Sequence, residues 1–267
     1  MNFIDKLQKK KLIIGMIHVD ALPGTPNNKL TISQIVSKAV EEAKLYEQKG
    51  LDAIIMENMH DVPYLNKKVG PEITASMTAI ATEVKNTISF PCGIQILAGA
   101  NIEALAVAQA SGCEFIRAEG FVYSHIADEG LMNACARELM RYRKMIGADE
   151  IAVFADIKKK HSSHSITTDL DITDFAEACK FFLADGIIIT GRSTSEETDV
   201  NELQKVYKIF DLPVLIGSGI TIQNIDKYWD LADGFIIGSY FKEDGNWRNT
   251  VSVDRVQSFM KYVNNLK

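Results

Sequence analysis

Eight short runs of apolar residues recur along this chain. They cover residues 12–17, 53–56, 92–96, 114–116, 151–155, 186–189, 213–216 and 234–237. Within each run the apolar residues are continuous and do not alternate with polar ones. That pattern is typical of parallel strands that are covered on both faces. We therefore predict eight buried parallel strands.

The stretches between these runs have the periodicity of helices. Apolar residues from Ile32 to Tyr46 fall on one face at helical spacing. Thr31 and Gln34 form a capping box before this helix, and Gly50 follows it as a C-terminal cap. Eight strand–helix units predict a closed (β/α)8 barrel, a TIM barrel, whose functional face lies just after each strand. A doubly wound open sheet is the alternative, but no run resembles an edge strand.

Length and composition are those of one globular domain. The chain has 267 residues, of which 46% are hydrophobic and 24% charged. It contains no linker rich in Pro, Gly or Ser, so we expect a single domain over residues 1–267. The net charge of −6 argues against a nucleic-acid-binding protein. No apolar run reaches the roughly 18 residues that an integral membrane segment needs.

The N-terminus and the cysteines point to the cytoplasm. Residues 1–11 are rich in lysine but lack the apolar stretch of a secretory signal, and organelle targeting is not evident. Phe3, Ile4 and Leu7 share one face of a short helix that we expect to close the barrel floor. The four cysteines lack CxxC spacing and are interpreted as buried, reduced thiols. They are Cys92, Cys113, Cys135 and Cys179.

The loops after the seventh and eighth runs have the composition of a phosphate site. In many barrels these two loops hold a phosphate, because glycines let backbone N–H groups approach an anion closely. Lys242 would add positive charge, and Thr190, Gly191 and Arg192 after the sixth run would extend the site. The predicted ligands within the two loops are Gly217, Ser218, Gly219, Gly238 and Ser239. The alternative is that these glycines only form tight turns.

Residues after the fifth run suggest an amine that takes part in chemistry. Asp156 and Lys158 would point to the same side of a strand, and a carboxylate beside a lysine positions it as acid, base or Schiff-base amine. The segment resembles in part the DxKxxD pattern of orotidine-phosphate-decarboxylase-like barrels. His161 occupies the position of the final aspartate. The alternative is a solvated basic loop.

Further ionisable residues follow the first, second and fourth runs. His18, Asp20, Glu57 and Glu119 are predicted to perform general acid–base chemistry. A divalent metal held by His18, Glu57 and Asp156 is the alternative, and no other cofactor is expected.

Several other polar or aromatic residues have two readings. Arg117 either holds an anionic substrate or pairs with Glu119. Asn58, with Asp61 and Tyr64, would line the pocket after the second run. Trp229 and Trp247 are expected to be packing residues and not cofactor platforms.

These residues together resemble one known family. The segments that carry the resemblance are IGMIHVDALPGTP (14–26), DAIIMENMHDVPY (52–64), FIRAEG (115–120), FADIKKKHSSH (154–164), DGIIITGRSTS (185–195), PVLIGSGIT (213–221) and ADGFIIGSYFK (232–242). They are similar to the BtpA family over nearly the whole chain. The resemblance implies a TIM barrel and, for photosynthetic members, a role in stabilising photosystem I reaction-centre proteins. For other members it implies an unassigned, phosphosugar-related activity.

Two segments depart from the common family pattern. The third strand of the family usually ends in GxNxLRND, whereas this chain has GIQILAGAN at 93–101. The fourth usually ends in FIRVN, whereas this chain has FIRAE at 115–119. These differences indicate a subgroup with an altered pocket.

The sequence supports three functional hypotheses. The first is an enzyme that acts on a small phosphorylated, sugar-phosphate-like metabolite by lyase, isomerase or aldolase chemistry, because ionisable groups follow most strands. The second is a non-enzymatic assembly or stability factor. The third is a metal-dependent hydrolase or deaminase. The expected partner is a small anionic metabolite, and self-association into a homo-oligomer is compatible with the fold.

Overall fold

The computed structural model describes residues 2–158, 161–191 and 197–266. Eight parallel strands close into a barrel in which each strand pairs with its neighbours in the chain and the last pairs with the first. The strands are β1 (Leu12–His18), β2 (Ala53–Glu57), β3 (Cys92–Gln95), β4 (Phe115–Ala118), β5 (Ala152–Ile157), β6 (Gly186–Ile189), β7 (Val214–Ile216) and β8 (Gly234–Ile237). The predicted TIM barrel is confirmed.

One short helix precedes β1, and the other helices follow the strands on the outside of the barrel. They are α1 (Phe3–Leu7), α2 (Ile32–Gln48), α3 (Pro71–Thr87), α4 (Asn101–Ser111), α5 (Ala136–Met145), α6 (Ile172–Phe181), α7 (Val200–Ile209), α8 (Ile225–Tyr228) and α9 (Val253–Asn264). The predicted capping box of Thr31 and Gln34 is present at the start of α2.

One region differs from the prediction. The helical periodicity after the fourth apolar run predicts a helix from about Met132 to Ile146, but α5 begins at Ala136, because Met132 belongs to a short strand. That strand, Gly130–Met132, pairs antiparallel with His125–Ala127, which in turn pairs with Ser162–Ser163. The small sheet is built from the loops that follow β4 and β5, so it stands beside the carboxyl ends of the barrel strands.

The barrel interior is apolar at the amino ends of the strands. Phe115 and Phe154 belong to this layer, together with Phe3 and Leu7 of α1. The Phe3 ring stacks on Phe115 with centroids 4.0 Å apart and meets Phe154 edge-on at 5.6 Å. The helix therefore closes the floor of the barrel, as the sequence predicts.

The interior becomes polar at the carboxyl ends of the strands. Successive side chains of a strand alternate between two faces, so residues two positions apart share a face. Met16, Ile55, Phe115 and Phe154 face the interior. The residues two positions further along the same strands are His18, Glu57, Arg117 and Asp156. The apolar layer thus ends beneath a polar one.

Two further expectations concern the whole chain. Cys92, Cys113 and Cys179 are buried, Cys135 is partly buried, and all four are free thiols. Within the part of the chain that the structure describes, no helix is both long enough and apolar enough to cross a membrane.

Candidate active site

A cavity of about 200 Å³ opens at the carboxyl ends of the strands. We call it the glycine lobe. It is lined by residues from β1, β2, β4, β7 and β8 and from the start of α9: His18, Glu57, Met59, Arg117, Gly217–Thr221, Gly238–Tyr240, Gly245 and Arg255, above Met16, Ile236 and Ile237. The structure therefore brings the predicted phosphate loops, the predicted acid–base residues His18 and Glu57, and the predicted arginine into one cavity.

The β7 loop is held in place from behind. The side chain of Asn224 accepts a hydrogen bond from the Thr221 backbone N–H at 2.8 Å and donates one to the Gly219 carbonyl at 2.8 Å. Gly219 has φ of +73°, a conformation that favours glycine. At Gly217 a Cβ would lie 2.6 Å from Cγ2 of Ile188, so a side chain does not fit there. The wall is therefore backbone.

Arg117 forms a buried ion pair with Asp156. Its Nε lies 3.1 Å from both carboxylate oxygens, and its Nη2 donates to Oδ2 at 2.9 Å. The predicted pairing of Arg117 with Glu119 is therefore wrong. The Glu119 carboxylate helps to raise the pKa of Arg117, but the ion pair is formed with Asp156. Burial works against the charged guanidinium, but the Asp156 and Glu57 carboxylates outweigh it and raise the pKa of Arg117. The Arg117 guanidinium in the wall of the glycine lobe therefore stays protonated, and Asp156 balances its charge.

His18 stands between the glycine lobe and a neighbouring carboxylate. Its Nδ1 lies 3.1 Å from the Trp247 carbonyl oxygen, and its Nε2 lies 3.9 Å from Oε2 of Glu57. A carbonyl oxygen only accepts hydrogen bonds, so we assign the proton to Nδ1. A Cβ on Gly238 would lie 3.2 Å from Nε2. The nitrogen that carries the lone pair in the neutral ring therefore faces the β8 loop.

Arg255, at the start of α9, was missed by the sequence analysis. Its Nε donates to the Tyr240 carbonyl at 2.6 Å, and its guanidinium lies 4.6 Å from the centre of the Tyr240 ring. Across the described ranges, no carboxylate forms an ion pair with it. The only signal in the sequence is its place in the first turn of the last helix, next to the β8 loop.

A second cavity, of about 230 Å³, adjoins the first. We call it the acidic lobe. It shares Glu57 and Met59 with the glycine lobe and is otherwise lined by Tyr64, Leu97, Ala98, Glu119, Asp128, Glu129, His161 and Trp247. Among the residues that the structure describes, four carboxylates and no lysine or arginine line this space. Burial, followed by the fields of Glu57 and Glu119, raises the pKa of Tyr64, so its phenol stays protonated.

The four carboxylates come from three places in the chain. Glu119 is buried after β4 and accepts a hydrogen bond from Nε2 of Gln95 at 3.1 Å. Glu57 ends β2, and Asp128 and Glu129 form the turn of the small antiparallel sheet. Sequence reasoning selected Glu57 and Glu119, but nothing in the chain marked Asp128 and Glu129 as neighbours of them.

The predicted pair of Asp156 and Lys158 is wrong. Lys158 lies beyond the end of β5 with φ of +45°, so the strand alternation that would align it with Asp156 is broken. Its Nζ lies 3.6 Å from Oε1 of Glu202 on α7 and 5.9 Å from the centre of the Phe175 ring on α6. The lysine therefore serves the outer helices, not the cavity.

Lys242 and Asp20 also lie outside both lobes. The Lys242 ammonium is buried against Glu42 of α2, with Nζ 3.0 and 2.9 Å from the two carboxylate oxygens, so its charge is neutralised there. Asp20 pairs with Lys38 at 2.9 Å on the same helix. The predicted roles of Lys242 as a phosphate ligand and of Asp20 as a catalytic residue are corrected.

Asn58 organises the loops and does not line either lobe. Its side chain donates to Oδ2 of Asp61 at 2.7 Å and accepts from the Leu97 backbone N–H at 2.7 Å, while Asp61 accepts from the Leu22 N–H at 2.8 Å. The carboxamide is fully occupied and buried. Its predicted role in substrate binding is therefore wrong.

The loop after β6 contacts the β7 loop, but Thr190 and Gly191 do not line the glycine lobe, so their predicted place in the phosphate site is corrected. The Gly191 N–H donates to Oγ of Ser218 at 3.1 Å, which joins the β6 and β7 loops. The Thr190 methyl group would lie 2.9 Å from a Cβ on Gly217. Arg192 lies outside the described residues.

The metal alternative does not fit the side chains present. Of its proposed ligands, Asp156 spends both carboxylate oxygens on Arg117. Within residues 2–158, 161–191 and 197–266, no three His, Cys, Asp or Glu side chains are grouped as metal ligands would be.

The two tryptophans differ in what they pack against. Trp229 packs flat on Phe235 with ring centroids 5.5 Å apart. Trp247 lines the acidic lobe, meets the His18 ring edge-on at 6.1 Å and has the Arg248 guanidinium 4.3 Å from its ring centre. It therefore packs against polar side chains in the wall of the cavity.

Comparison with known proteins identifies relatives along the whole chain. The sequence profile of the BtpA family matches residues 9–265. An uncharacterised protein of Caenorhabditis elegans, described by its name as mitochondrial, is 49% identical over 97% of this chain and 95% of its own length. The photosystem I biogenesis protein BtpA of Synechocystis is 31% identical over 98% of this chain and 91% of its own length.

Solved structures share the fold at much lower identity. Thiamine phosphate pyrophosphorylase from Pyrococcus furiosus superposes with a TM-score of 0.60 at 14% identity, covering 99% of each chain. Phosphoribosyl anthranilate isomerase from Thermus thermophilus superposes with a TM-score of 0.58 at 12% identity, covering 96% of this chain and 100% of that one. These likenesses show the barrel fold.

Proposed function

The chain belongs to the BtpA family, and we propose that its barrel mouth binds a small phosphorylated metabolite and transfers a proton on it, as an isomerase or lyase does. One observation carries the proposal: the glycine loops after β7 and β8 share a cavity with two arginines, a histidine and a glutamate. Fold alone says little about chemistry, so the proposal rests on this site.

The glycine lobe supplies what a phosphate group needs. Backbone at Gly217–Gly219 and at Gly238 allows close approach of an anion, and the loops after the seventh and eighth strands are where many barrels hold phosphate. Arg255 takes the role that the sequence assigned to Lys242. Guanidinium groups suit phosphate, because they donate two hydrogen bonds in a fixed fork.

His18 and Glu57 supply acid–base chemistry beside the anion. His18 Nε2 lies beside the β8 loop, where it would accept a proton from substrate, and Glu57, 3.9 Å away, would stabilise the resulting imidazolium. An aldolase that uses Lys158 as Schiff-base amine is disfavoured, because that ammonium lies at Glu202. Isomerisation or elimination by proton transfer is the chemistry that these residues support.

The acidic lobe indicates the other end of the substrate. Carboxylates accept hydrogen bonds from hydroxyl and ammonium groups and repel a second phosphate. We therefore propose a substrate that carries one phosphate and, at its other end, hydroxyl or amino groups. The two solved structures named above come from enzymes whose names contain a phosphate-bearing substrate, which agrees with this class.

The cell compartment is a further part of the proposal. Four free thiols suit a reducing compartment. We propose the cytoplasm, with the mitochondrial name of the C. elegans relative as the competing location.

A matched pair of variants tests phosphate binding. Gly219→Asp and Gly219→Asn have nearly the same size, and asparagine and aspartate both tolerate positive φ, but only aspartate adds negative charge at the loop. We expect inorganic phosphate and sugar phosphates to raise the melting temperature of the wild-type protein. Gly219→Asp should abolish that shift, and Gly219→Asn should retain part of it.

Two outcomes would contradict the proposal. One is a wild-type protein that no phosphorylated compound stabilises. The other is equal loss of binding in both variants, which would assign the effect to backbone strain.

The assembly-factor alternative is supported by the name of the Synechocystis relative. Stoichiometric capture of a membrane-protein complex by a protein that binds no phosphate would favour it.

A further inference from the structure

The segment between β8 and α9 reaches back over the first strand and decides how His18 is protonated. We call residues 242–252 the β8–α9 loop. The Trp247 carbonyl on this loop accepts the hydrogen bond from Nδ1 of His18 at 3.1 Å. The acceptor is a main-chain oxygen, so the identity of the side chain at position 247 does not determine this hydrogen bond. In the neutral ring, this hydrogen bond favours the proton on Nδ1, so the position of the loop contributes to the choice of tautomer.

The loop is closed at its base. Lys242 and Val251 form an isolated antiparallel bridge, and the Glu243 N–H donates to the Thr250 carbonyl at 2.9 Å. Trp247 lies at the far end of this closed loop. A movement at the base would therefore be transmitted to its carbonyl oxygen.

The base is tied to the helix that follows β1. The Lys242 side chain is 1% exposed, and its ammonium contacts both carboxylate oxygens of Glu42 on α2. Burial raises the pKa of Glu42, and Lys242 acts in the opposite direction. His18 ends β1, and the next helix, α2, carries Glu42. The Glu42–Lys242 ion pair joins α2 to the base of the β8–α9 loop, and the Trp247 carbonyl of that loop contacts His18.

A buried ion pair is a weak source of stability, because desolvation offsets most of its attraction. Its best-supported use is to fix one geometry among several. We propose that the Glu42–Lys242 ion pair is a positioning device that holds the β8–α9 loop where the Trp247 carbonyl keeps His18 in the Nδ1–H tautomer. The catalytic meaning of this device rests on the proposed function, whereas the tautomer itself does not.

The tautomer is measured directly by NMR. Long-range ¹H–¹⁵N correlation on the full-length protein, with ¹⁵N-labelled histidine, distinguishes Nδ1–H from Nε2–H rings. His18→Gln assigns the signal. In wild-type protein with a neutral ring we expect the Nδ1–H pattern. In the double variant Glu42→Gln/Lys242→Met, which leaves no unpaired buried charge, we expect that pattern to be lost in favour of a mixture or of Nε2–H.

Two further variants make the result specific. Lys242→Arg keeps a cation that can pair with Glu42, and we expect it to retain the Nδ1–H pattern. Lys38 is on α2, like Glu42, and Lys38→Met removes its exposed ion pair with Asp20. The Nδ1–H pattern of His18 should be unchanged in that variant. If the double variant does not fold, Glu42→Asp, which only shortens the carboxylate, decides the question by the same signal.

Each outcome counts for or against the device. An unchanged Nδ1–H ring in a folded double variant, or in Glu42→Asp where only that variant folds, overturns it, as does an Nε2–H ring in the wild-type protein. Inorganic phosphate titrated into the same wild-type sample separates the two proposals. Absence of phosphate binding contradicts the proposed function and leaves the tautomer result standing.

Discussion

The two lobes of the barrel mouth are built in opposite ways. The glycine lobe is walled largely by the backbone of the loops after β7 and β8, and its cations are Arg255 and Arg117, of which Arg117 pairs with Asp156. The acidic lobe is walled by side chains, and its four carboxylates come from the end of β2 and from the connection after β4. Glu57 and Met59 belong to both. A ligand that fills the mouth therefore meets positive charge at one end and negative charge at the other.

This difference teaches how the site selects its ligand. Backbone and arginine recognise a phosphate whatever molecule carries it, so the glycine lobe provides affinity. The carboxylates reject a second anion and accept hydrogen-bond donors, so the acidic lobe provides discrimination. The same division also decides which substitutions lower affinity and which only change preference.

The largest effect is expected at the buried ion pair in the wall of the glycine lobe. Arg117→Met leaves the buried Asp156 carboxylate without its guanidinium and should lower the free energy of unfolding by about 3–5 kcal/mol. Urea unfolding measures this loss. The double variant Arg117→Met/Asp156→Leu removes both charges and should recover much of it. A loss below about 1 kcal/mol in the single variant would show that Asp156 does not depend on Arg117.

The next effect concerns the glycine lobe alone. Arg255→Ala removes a guanidinium from the cavity and should weaken phosphate binding by roughly tenfold to a hundredfold, since hydrogen bonds to charged groups are worth about 1.5–3 kcal/mol. Calorimetric titration with inorganic phosphate measures it. Arg255→Lys keeps the charge but not the fork, so its affinity should fall between the two. Unchanged affinity in the alanine variant would remove Arg255 from the site.

A smaller and opposite pattern is expected in the acidic lobe. Glu119→Gln keeps the size of the side chain and an acceptor for Gln95 but removes one charge. The preference for glucosamine-6-phosphate over glucose-6-phosphate should fall by about tenfold, the value of one charge-assisted contact of about 1.5 kcal/mol. The affinity for inorganic phosphate should change by no more than about twofold. If the wild-type protein shows no preference between these sugars, the acidic lobe does not recognise an amine. The proposed substrate would then carry only hydroxyl groups at that end.

The smallest effect tests a correction to the sequence analysis. Lys158→Met removes a partly exposed ion pair with Glu202 and should cost about 1 kcal/mol of stability or less. Phosphate affinity should be unchanged, because the ammonium lies away from both lobes. A large loss of phosphate binding would return Lys158 to the site.

The barrel and the glycine lobe follow from local sequence. Apolar runs mark the strands, and the glycines of 217–219 stand immediately after one of them, so position in the chain gives position in space. The direction of a side chain beyond a strand end depends on one dihedral angle. The positive φ of Lys158 turned its ammonium to α7, and the β8–α9 loop placed Lys242 against α2. The alternation of side chains along a strand predicts neither of these two placements.

The acidic lobe depends on contacts between distant segments. Asp128 and Glu129 were expected just before a helix, and a small sheet between two loops brought them to Glu57. Likewise, Arg117 and Asp156 belong to adjacent strands and are 39 residues apart in the chain. The sequence named both residues but paired each with a nearer neighbour, because short separation is the only proximity that a sequence displays.

The aromatic stack of Phe3 on Phe115 closes the floor of the barrel, so a ligand enters and leaves through the mouth at the carboxyl ends of the strands. A molecule cannot pass through the tube, so whatever enters and whatever leaves share one route. If turnover yields two fragments, the one nearer the opening must depart before the deeper one. The order of product inhibition would then report which fragment carries the phosphate.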